Sequence, residues 1–322
     1  MRGFLIMEKQ LKFLTSGLIK SYQYYAYPIN IILSKYNKQE DKLLLNFFTN
    51  VFRGKSMQYY ESNYQKWDCF NIKKLTVYKN LFINQLMKLI DDNIYIHITK
   101  VNEYYIPNRR AFNKYNYIHD LLVIGYNKLE ETFLIAGFNE NNNFMKTEVK
   151  FTQMLSSCFY ESNYTELILI SVKENYNYII NTNKIKKELK RYISCEVLNM
   201  SEYQLDEYTF GFDAYKKLNK DLKLYSEGNT DSMPGIIQDI YFIYEHKQII
   251  YYKLQYLCTN NIIPLDILEE FSLIKEESNI IKNLFIKFII TKNSNYIKRI
   301  SLRLDSLLKK EEKILKKLNL II

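Results

Sequence analysis

The chain has 322 residues, of which 47% are hydrophobic and 25% are charged, close to the averages for globular proteins. This composition excludes a wholly disordered or collagen-like chain, and the length is enough for one large domain or two ordinary ones. The formal net charge of +10 permits an acidic partner without selecting one.

The N-terminal part of the chain is predicted to be helical. Apolar residues on one face predict a helix within residues 15–33, and Pro28 requires that helix to begin near it or to kink. Helical spacing also predicts helices over residues 41–52 and 71–90. The turn signal Asp-Asp-Asn at residues 91–93 ends the last of these.

From residue 94 the apolar period changes to two, which is typical of a strand with one buried face. Strands are predicted over residues 94–99, 121–126, 133–138, 143–149 and 167–172. Short polar turns between them favour an antiparallel meander. Helix first and sheet second indicate an α+β domain, which we place at residues 1–195.

The remainder of the chain again has helical spacing, which predicts an all-α domain over residues 205–322. Its helices are predicted over residues 212–226, 236–258, 266–291 and 295–318. Lysine-rich runs at residues 184–191 and 309–317 have the spacing of solvated helix faces. Glu245, His246 and Lys247 are interpreted as one polar face of a helix.

Several classes of protein are disfavoured by the sequence. The four cysteines contain no C-x-x-C pair, which argues against a zinc site or a disulfide scaffold, so we expect no metal and a cytoplasmic protein. No nucleic-acid-binding module is recognisable, and no apolar run reaches the roughly 18 residues of a membrane helix. We therefore expect neither nucleic acid nor a membrane as a partner.

One segment carries a recognisable signature. Residues 103–110 are Glu-Tyr-Tyr-Ile-Pro-Asn-Arg-Arg, residues 115–127 are Tyr-Asn-Tyr-Ile-His-Asp-Leu-Leu-Val-Ile-Gly-Tyr-Asn, and residues 132–139 are Thr-Phe-Leu-Ile-Ala-Gly-Phe-Asn. His119 thus opens a hydrophobic strand that ends in Gly-Tyr-Asn, and a second strand follows. This pattern resembles the histidine-bearing hairpin of papain-like cysteine enzymes. More narrowly, it resembles the N-terminal domain of the butirosin biosynthesis protein H family and bacteriocin-leader-peptidase-like proteins.

The resemblance implies a papain-like domain in the biosynthesis of peptide or aminoglycoside natural products. Characterised relatives transfer an acyl group from a carrier-protein thioester to an amine. The implied partners are therefore an acyl or peptidyl carrier protein and a small-molecule amine or peptide. No cofactor of the chain's own is implied, only a phosphopantetheine arm that the carrier presents. His119 matches the family histidine, and Asn139 stands near the position of the aspartate that orients it.

The family nucleophile is a cysteine of the first helix, four residues before a small residue. In this chain that spacing, counted from Ala26, falls at Tyr22, with Ser21 beside it, and no cysteine precedes Cys69. Cys69 comes just before the helix predicted over residues 71–90, where a helix N-terminus would stabilise a thiolate. Ser21, Tyr22 and Cys69 thus remain alternative nucleophiles, and Cys69 as a packed hydrophobic residue is the competing interpretation.

Arg109 and Arg110 are placed to hold a phosphopantetheine phosphate if the preceding strand borders the cleft, and a solvated loop is the alternative. His97 and His246 are interpreted as structural. The resemblance therefore implies an acyltransferase, an amide-forming enzyme or a thioesterase-like enzyme that depends on a carrier protein, with His119 as general base. Without a nucleophile, His119 could still deprotonate an attacking amine directly. The alternative is an inactive homologue that binds a carrier protein or a peptide as a scaffold.

Overall fold

The structure, a computed structural model, describes residues 7–36, 40–60, 63–174, 176–197, 208–228 and 236–322. The chain divides into two compact units: a first unit from Met1–Asn37 and Asn63–Tyr178, and a second unit from Lys38–Ser62 and Ile179–Ile322. The boundary predicted between residues 195 and 205 falls largely at residues 198–207, outside the described ranges.

Helices and strands are mixed over the first two thirds of the chain, and the described residues after that part form only helices as regular elements. The helices are α1 (Gln23–Tyr36), α2 (Glu40–Leu43), α3 (Phe82–Asp91), α4 (Phe151–Cys158), α5 (Thr182–Ser194), α6 (Gly211–Ser226), α7 (Ile236–Thr259), α8 (Leu265–Thr291) and α9 (Asn295–Ile321). The strands are β1 (Glu8–Gln10), β2 (Val51–Arg53), β3 (Met57–Tyr59), β4 (Phe70–Tyr78), β5 (Tyr95–Asn102), β6 (Ile118–Asn127), β7 (Thr132–Phe138), β8 (Phe144–Lys150), β9 (Tyr164–Val172) and β10 (Thr209–Phe210).

The first unit is built on an antiparallel sheet. Its strands lie in the order β4, β9, β5, β6, β7, β8, and β1 also pairs with β6. The five strands predicted from the alternating pattern are confirmed as β5 to β9. The meander is confirmed as well, because β6, β7 and β8 pair consecutively through short turns.

Helix α1 is the buried helix of the first unit, and it packs against β6 and β9. It begins at Gln23, within the predicted range of residues 15–33, and continues through Pro28. Two buried polar residues of α1 hold the segment before it. The side chain of Asn30 accepts a hydrogen bond from the amide of Gly17 at 3.3 Å, and the Ser34 hydroxyl accepts one from the amide of Leu14 at 2.8 Å.

The helix predicted over residues 41–52 is wrong, and the helix predicted over residues 71–90 is correct only in its second half. Residues 70–78 form β4, which pairs with β9 along its whole length from Phe70 opposite Val172 to Tyr78 opposite Tyr164, and helix α3 follows only at Phe82. Residues 41–52 contain the single turn of α2 and the start of β2. Pairing of β4 with the distant strand β9 overrides the local helical spacing in the first place, and contacts with distant parts of the chain, β10 and α7, override it in the second.

The second unit contains the predicted helical region together with a small sheet. The four predicted helices are confirmed as α6 to α9, and α9 packs against both α6 and α8. Strands β10, β2 and β3 form an antiparallel sheet in that order. The chain is therefore a mixed α and β protein with antiparallel sheets and a C-terminal helical region.

Buried polar side chains of α7 bind the segment that contains α2, β2 and β3. Lys253 donates to the carbonyl oxygens of Leu44, Leu45 and Phe47 at 2.6–2.9 Å. Asp239 accepts from Arg53 at 3.1 Å, and it also accepts from the amide of Met57 at 2.6 Å. His246 lies 2.9 Å from the carbonyl oxygen of Thr49. These contacts explain why a segment early in the chain belongs to the second unit.

The polar face predicted for Glu245, His246 and Lys247 is wrong, because all three side chains are buried. The Lys247 Nζ atom lies 2.8 Å from Glu311 Oε1, and the Tyr192 hydroxyl contacts both groups. The Lys247 ammonium also lies 3.7 Å from the centre of the Tyr215 ring. Burial lowers the pKa of Lys247 although Glu311 opposes that effect. The helical core therefore contains a paired charge.

Among the described residues, no helix is both long enough and apolar enough to cross a membrane.

Removal of one member of the buried ion pair is expected to destabilise the protein strongly. Lys247→Met leaves the Glu311 carboxylate buried without its cation, which costs about 3–5 kcal/mol of unfolding free energy. The double variant Lys247→Met, Glu311→Leu should recover part of that loss. Urea unfolding measures both, and Lys309→Met, which removes an exposed partner of Asp305 on the same helix as Glu311, is the control. A loss no larger than that of the control contradicts the expectation.

Candidate functional site

The candidate site lies where β5, β6 and α1 of the first unit meet. His119 is the second residue of β6, and Asp120 follows it. His97 on β5 pairs with Leu122 on β6, so His97 and Asp120 are diagonal neighbours on one face of the sheet. The register of β5 against β6 shifts between Ile98 and Val101, and such irregularities re-aim side chains at functional sites.

The Asp120 carboxylate is the centre of this site. Its Oδ2 atom lies 2.9 Å from His97 Nε2, and its Oδ1 atom lies 3.1 Å from His119 Nδ1. The Gln23 amide, at the first residue of α1, donates to Oδ1 at 2.9 Å and also to the Asp120 carbonyl oxygen. Burial opposes ionisation of Asp120, but His97, His119 and Gln23 together hold its pKa below the ordinary value of 3.8. The site therefore contains an ionised carboxylate shared by two histidines.

Gln23 is the residue of α1 that contacts His119. Its Nε2 atom touches His119 Nδ1, and its Oε1 atom accepts a hydrogen bond from the amide of Phe138 at 3.2 Å. Since the Phe138 amide fixes the orientation of the Gln23 side chain, the amide nitrogen faces Asp120. The group beside the histidine at this helix start is therefore a carboxamide.

The exposed side of the His119 ring carries an aromatic neighbour. The Tyr117 ring stacks on the imidazole, with centroids 5.4 Å apart and planes 20° apart. The His119 side chain is 33% exposed, and its Nε2 atom has no hydrogen-bond partner among the residues that the structure describes. The Nδ1 atom thus faces Gln23 and Asp120 in the interior, and the Nε2 atom is open to solvent.

A second carboxylate lies near His119. Glu103 Oε1 is 4.0 Å from His119 Nδ1 and 4.0 Å from Arg109 Nε. Burial raises the pKa of Glu103, although Arg109 and His119 oppose that effect. Glu103 therefore lies at the edge of the Asp120 group without a hydrogen bond to the imidazole.

The two arginines have different surroundings. Arg109 is buried, donates to the carbonyl oxygen of Phe138 and lies directly over Gly137, where an added Cβ would be 2.6 Å from Nη2. Its loop is therefore not solvated at this residue. Arg110 is exposed, and its charge acts on the Tyr117 hydroxyl. Of the two predicted phosphate ligands, the structure exposes only Arg110.

The predicted nucleophiles do not meet His119. Among the described residues, no hydroxyl or thiol donates a hydrogen bond to its ring. Ser21 is buried, and Tyr22 accepts the Ala26 amide with its backbone carbonyl at the start of α1. Cys69 precedes the edge strand β4, which lies three strand spacings, about 14 Å, from β6. Burial raises the pKa of its thiol to about 12, so the expected stabilisation of a thiolate by a helix is wrong.

Asn139 has a local role. Its side-chain oxygen accepts the amides of Asn141 at 3.0 Å and Asn143 at 2.9 Å, and so holds the turn between β7 and β8. The side-chain oxygen closest to His119 Nδ1 belongs to Asp120 and not to Asn139.

The sequence pattern did not indicate Gln23, Glu103 or Asp120, and His97 was interpreted as structural. A weak signal existed for one pair. His97 and Asp120 fall on the same face once the register of their two strands is known, but that register cannot be read from the alternation alone. Nothing in the sequence indicated that Gln23 begins the helix.

Comparison with known proteins does not assign this chain to a group. No protein-family model matches the sequence, and no curated protein matches it significantly. Within the described part of the chain, no cluster of His, Cys, Asp and Glu side chains is arranged to hold a metal ion.

The ionised Asp120 makes a pH-dependent contribution to stability. Because its pKa in the folded state lies below the ordinary 3.8, the carboxylate stabilises the fold above that pH, and the contribution is lost as the pH falls through the folded-state value. Asp120→Asn should therefore lower the unfolding free energy by about 2 kcal/mol at neutral pH, and the difference should shrink below about pH 4.

Urea unfolding of both proteins between neutral and acid pH measures this difference. Asp92→Asn removes an exposed carboxylate from the same unit and serves as the control. A difference that stays constant, or that grows in acid, contradicts the assignment of an ionised Asp120.

Proposed function

We propose that the first unit is a papain-like acyl-transfer domain in which His119 is the general base. The observation that carries the proposal is the setting of the imidazole. Its Nδ1 atom lies 3.1 Å from the Asp120 carboxylate, while Nε2 is open to solvent and has no partner among the described residues. A carboxylate on one ring nitrogen and a substrate proton on the other is the arrangement of many histidine bases.

The chemistry is the attack of an amine on a thioester. The Nε2 atom takes a proton from the amine as its nitrogen bonds to the thioester carbon, and the carbon–sulfur bond then breaks. His119 returns the proton to the departing sulfur, which leaves an amide and a thiol. The Asp120 carboxylate stabilises the imidazolium between these two steps.

The amine attacks the thioester directly, and no acyl-enzyme forms. The group of α1 that contacts His119 is the Gln23 amide, which is not a nucleophile. Cys69 lies next to the edge strand β4, three strands away from β6. Proximity and a single base suffice for aminolysis of an activated ester, because binding replaces the entropy cost of bringing the two substrates together.

The substrates follow from the resemblance of the hairpin around His119. The acyl donor is a thioester on the phosphopantetheine arm of an acyl or peptidyl carrier protein, and the acceptor is a small amine or a peptide in natural-product biosynthesis. Arg110 is the proposed ligand of the arm's phosphate, since it is exposed and its charge reaches Tyr117, which stacks on His119. Arg109 is not proposed for this role because it is buried.

A second candidate function is a binding scaffold without catalysis. The observation that favours it is the carboxamide of Gln23, where an enzyme with a covalent mechanism would place a thiol or hydroxyl beside His119. In this case the same surface binds the carrier protein or the peptide and no bond is formed.

Thioester turnover distinguishes the two candidates. The protein is incubated with acyl-pantetheine thioesters and a panel of amines, and thiol release and intact-protein mass are followed. We expect turnover without an acyl adduct. His119→Ala should lower the rate by about 10²–10⁴-fold, since that is the usual contribution of a general base. Cys69→Ala is the control and should retain activity.

Each outcome decides between the mechanisms. A stoichiometric adduct lost in a Ser21→Ala, Tyr22→Phe or Cys69→Ala variant contradicts direct attack and identifies the nucleophile. Thiol release in the native protein no faster than in buffer contradicts the enzyme proposal. Binding of an acylated carrier protein in that case supports the scaffold.

A further inference from the structure

A line of polar side chains in contact leads from the interior of the first unit to His119. The Tyr64 hydroxyl lies 2.6 Å from His97 Nδ1, and His97 Nε2 lies 2.9 Å from Asp120 Oδ2. The other carboxylate oxygen lies 3.1 Å from His119 Nδ1. Tyr64 and His97 are fully buried, whereas His119 is partly exposed. Among the residues that the structure describes, Asp120 is the link between these two buried residues and the candidate base.

The chemistry of the two ends fixes the proton positions on His97. Burial raises the pKa of Tyr64 well above its ordinary value of 10, so the phenol keeps its proton and donates it to Nδ1. An ionised Asp120 can only accept. His97 therefore accepts at Nδ1 and donates from Nε2, which defines a single neutral tautomer.

The Gln23 amide fixes the proton on His119 in the same way. Its two hydrogens have two strong acceptors, the carbonyl oxygen and the carboxylate oxygen Oδ1 of Asp120. No hydrogen of the amide then remains for His119 Nδ1. That nitrogen carries its own proton, which it donates to the Asp120 carbonyl oxygen at 3.3 Å, and the carboxylate oxygen Oδ1, 3.1 Å away, favours a proton in this position. Nε2 is left with its lone pair facing solvent.

We propose that His97 and Tyr64 are positioning residues, which hold the Asp120 carboxylate in the orientation that keeps His119 in the Nδ1–H tautomer. The purpose of this arrangement rests on the proposed function, since only a base needs an unprotonated Nε2. The arrangement itself is a property of the resting protein and can be tested without any substrate.

The His97 side chain makes its hydrogen bonds with Tyr64 and Asp120, and aromatic rings surround it. The rings of Tyr24 and Tyr27 lie 6.0 and 5.4 Å from the imidazole and enclose it. The Tyr27 hydroxyl donates instead to the carbonyl oxygen of Ala136, at 3.2 Å. A change at His97 is therefore transmitted to Asp120 and not to a second charged group beside it.

Nitrogen NMR of histidine-labelled protein tests the proposal directly. The chain has three histidines, so variants of His119 and His246 assign all of the ring signals. In the native protein at a pH where the rings are neutral, we expect a protonated Nδ1 and an unprotonated Nε2 in His119. In His97→Phe, which keeps an aromatic ring among the tyrosines, the two nitrogen shifts of His119 should move toward each other as the tautomers mix.

Two further variants separate positioning from simple damage. In His97→Gln the side-chain amide can donate to Asp120 as Nε2–H does, so the native tautomer of His119 should be restored. Tyr64→Phe should release the tautomer of His97. Tyr95→Phe removes a hydroxyl that donates to the Lys12 carbonyl oxygen at the same distance, 2.6 Å, and should change neither histidine.

The outcomes are separable from those of the thioester assay. A native His119 with the proton on Nε2 overturns the proposal. A folded His97→Phe protein with an unchanged His119 tautomer overturns it too, and Tyr64→Phe supplies the test if His97→Phe does not fold. If the tautomers are as expected but no thioester turnover is found, the positioning role is supported and only the proposed function is contradicted.

Discussion

The buried carboxylate of Asp120 joins the three elements from which the candidate site is built. It accepts hydrogen bonds from His97 on β5 and from Gln23 at the start of α1, and it lies 3.1 Å from the imidazole of His119, its neighbour on β6. A charge in this position is expensive to bury unless every donor is in place. The ionised state of Asp120, the start of α1 and the orientation of the imidazole therefore depend on one another.

The second unit also buries charge, but its arrangement has a structural purpose. Lys247 and Glu311 are both inaccessible, and Lys253 is fully used by the carbonyl oxygens of an early segment of the chain. These contacts hold helices and a loop together, and all three charged side chains are buried. In the first unit the corresponding line ends at a partly exposed ring. This difference is the reason why the function is proposed for His119 and not for His246.

The sequence was sufficient to predict those helices and strands whose apolar pattern reflects packing against a single partner. Alternation identified β5 to β9, and helical spacing identified α6 to α9. The prediction of a helix failed for residues 70–78, where pairing of β4 with β9 outweighs helical spacing. It also failed for the segment around β2, which contacts α7 far along the chain. His119 was found from its motif. Gln23 and Asp120 were not, because their roles depend on where α1 begins and on the register between β5 and β6, which are tertiary properties.

The most direct test of this account is the carbon NMR titration of the Asp120 side-chain carboxyl, assigned with the Asp120→Asn variant. The account requires the carboxylate shift to persist as the pH is lowered, with a midpoint below the ordinary 3.8 while the protein remains folded. A midpoint above that value would contradict it. The two histidines would then face a neutral acid, and neither the tautomer of His119 nor its role as a base would follow.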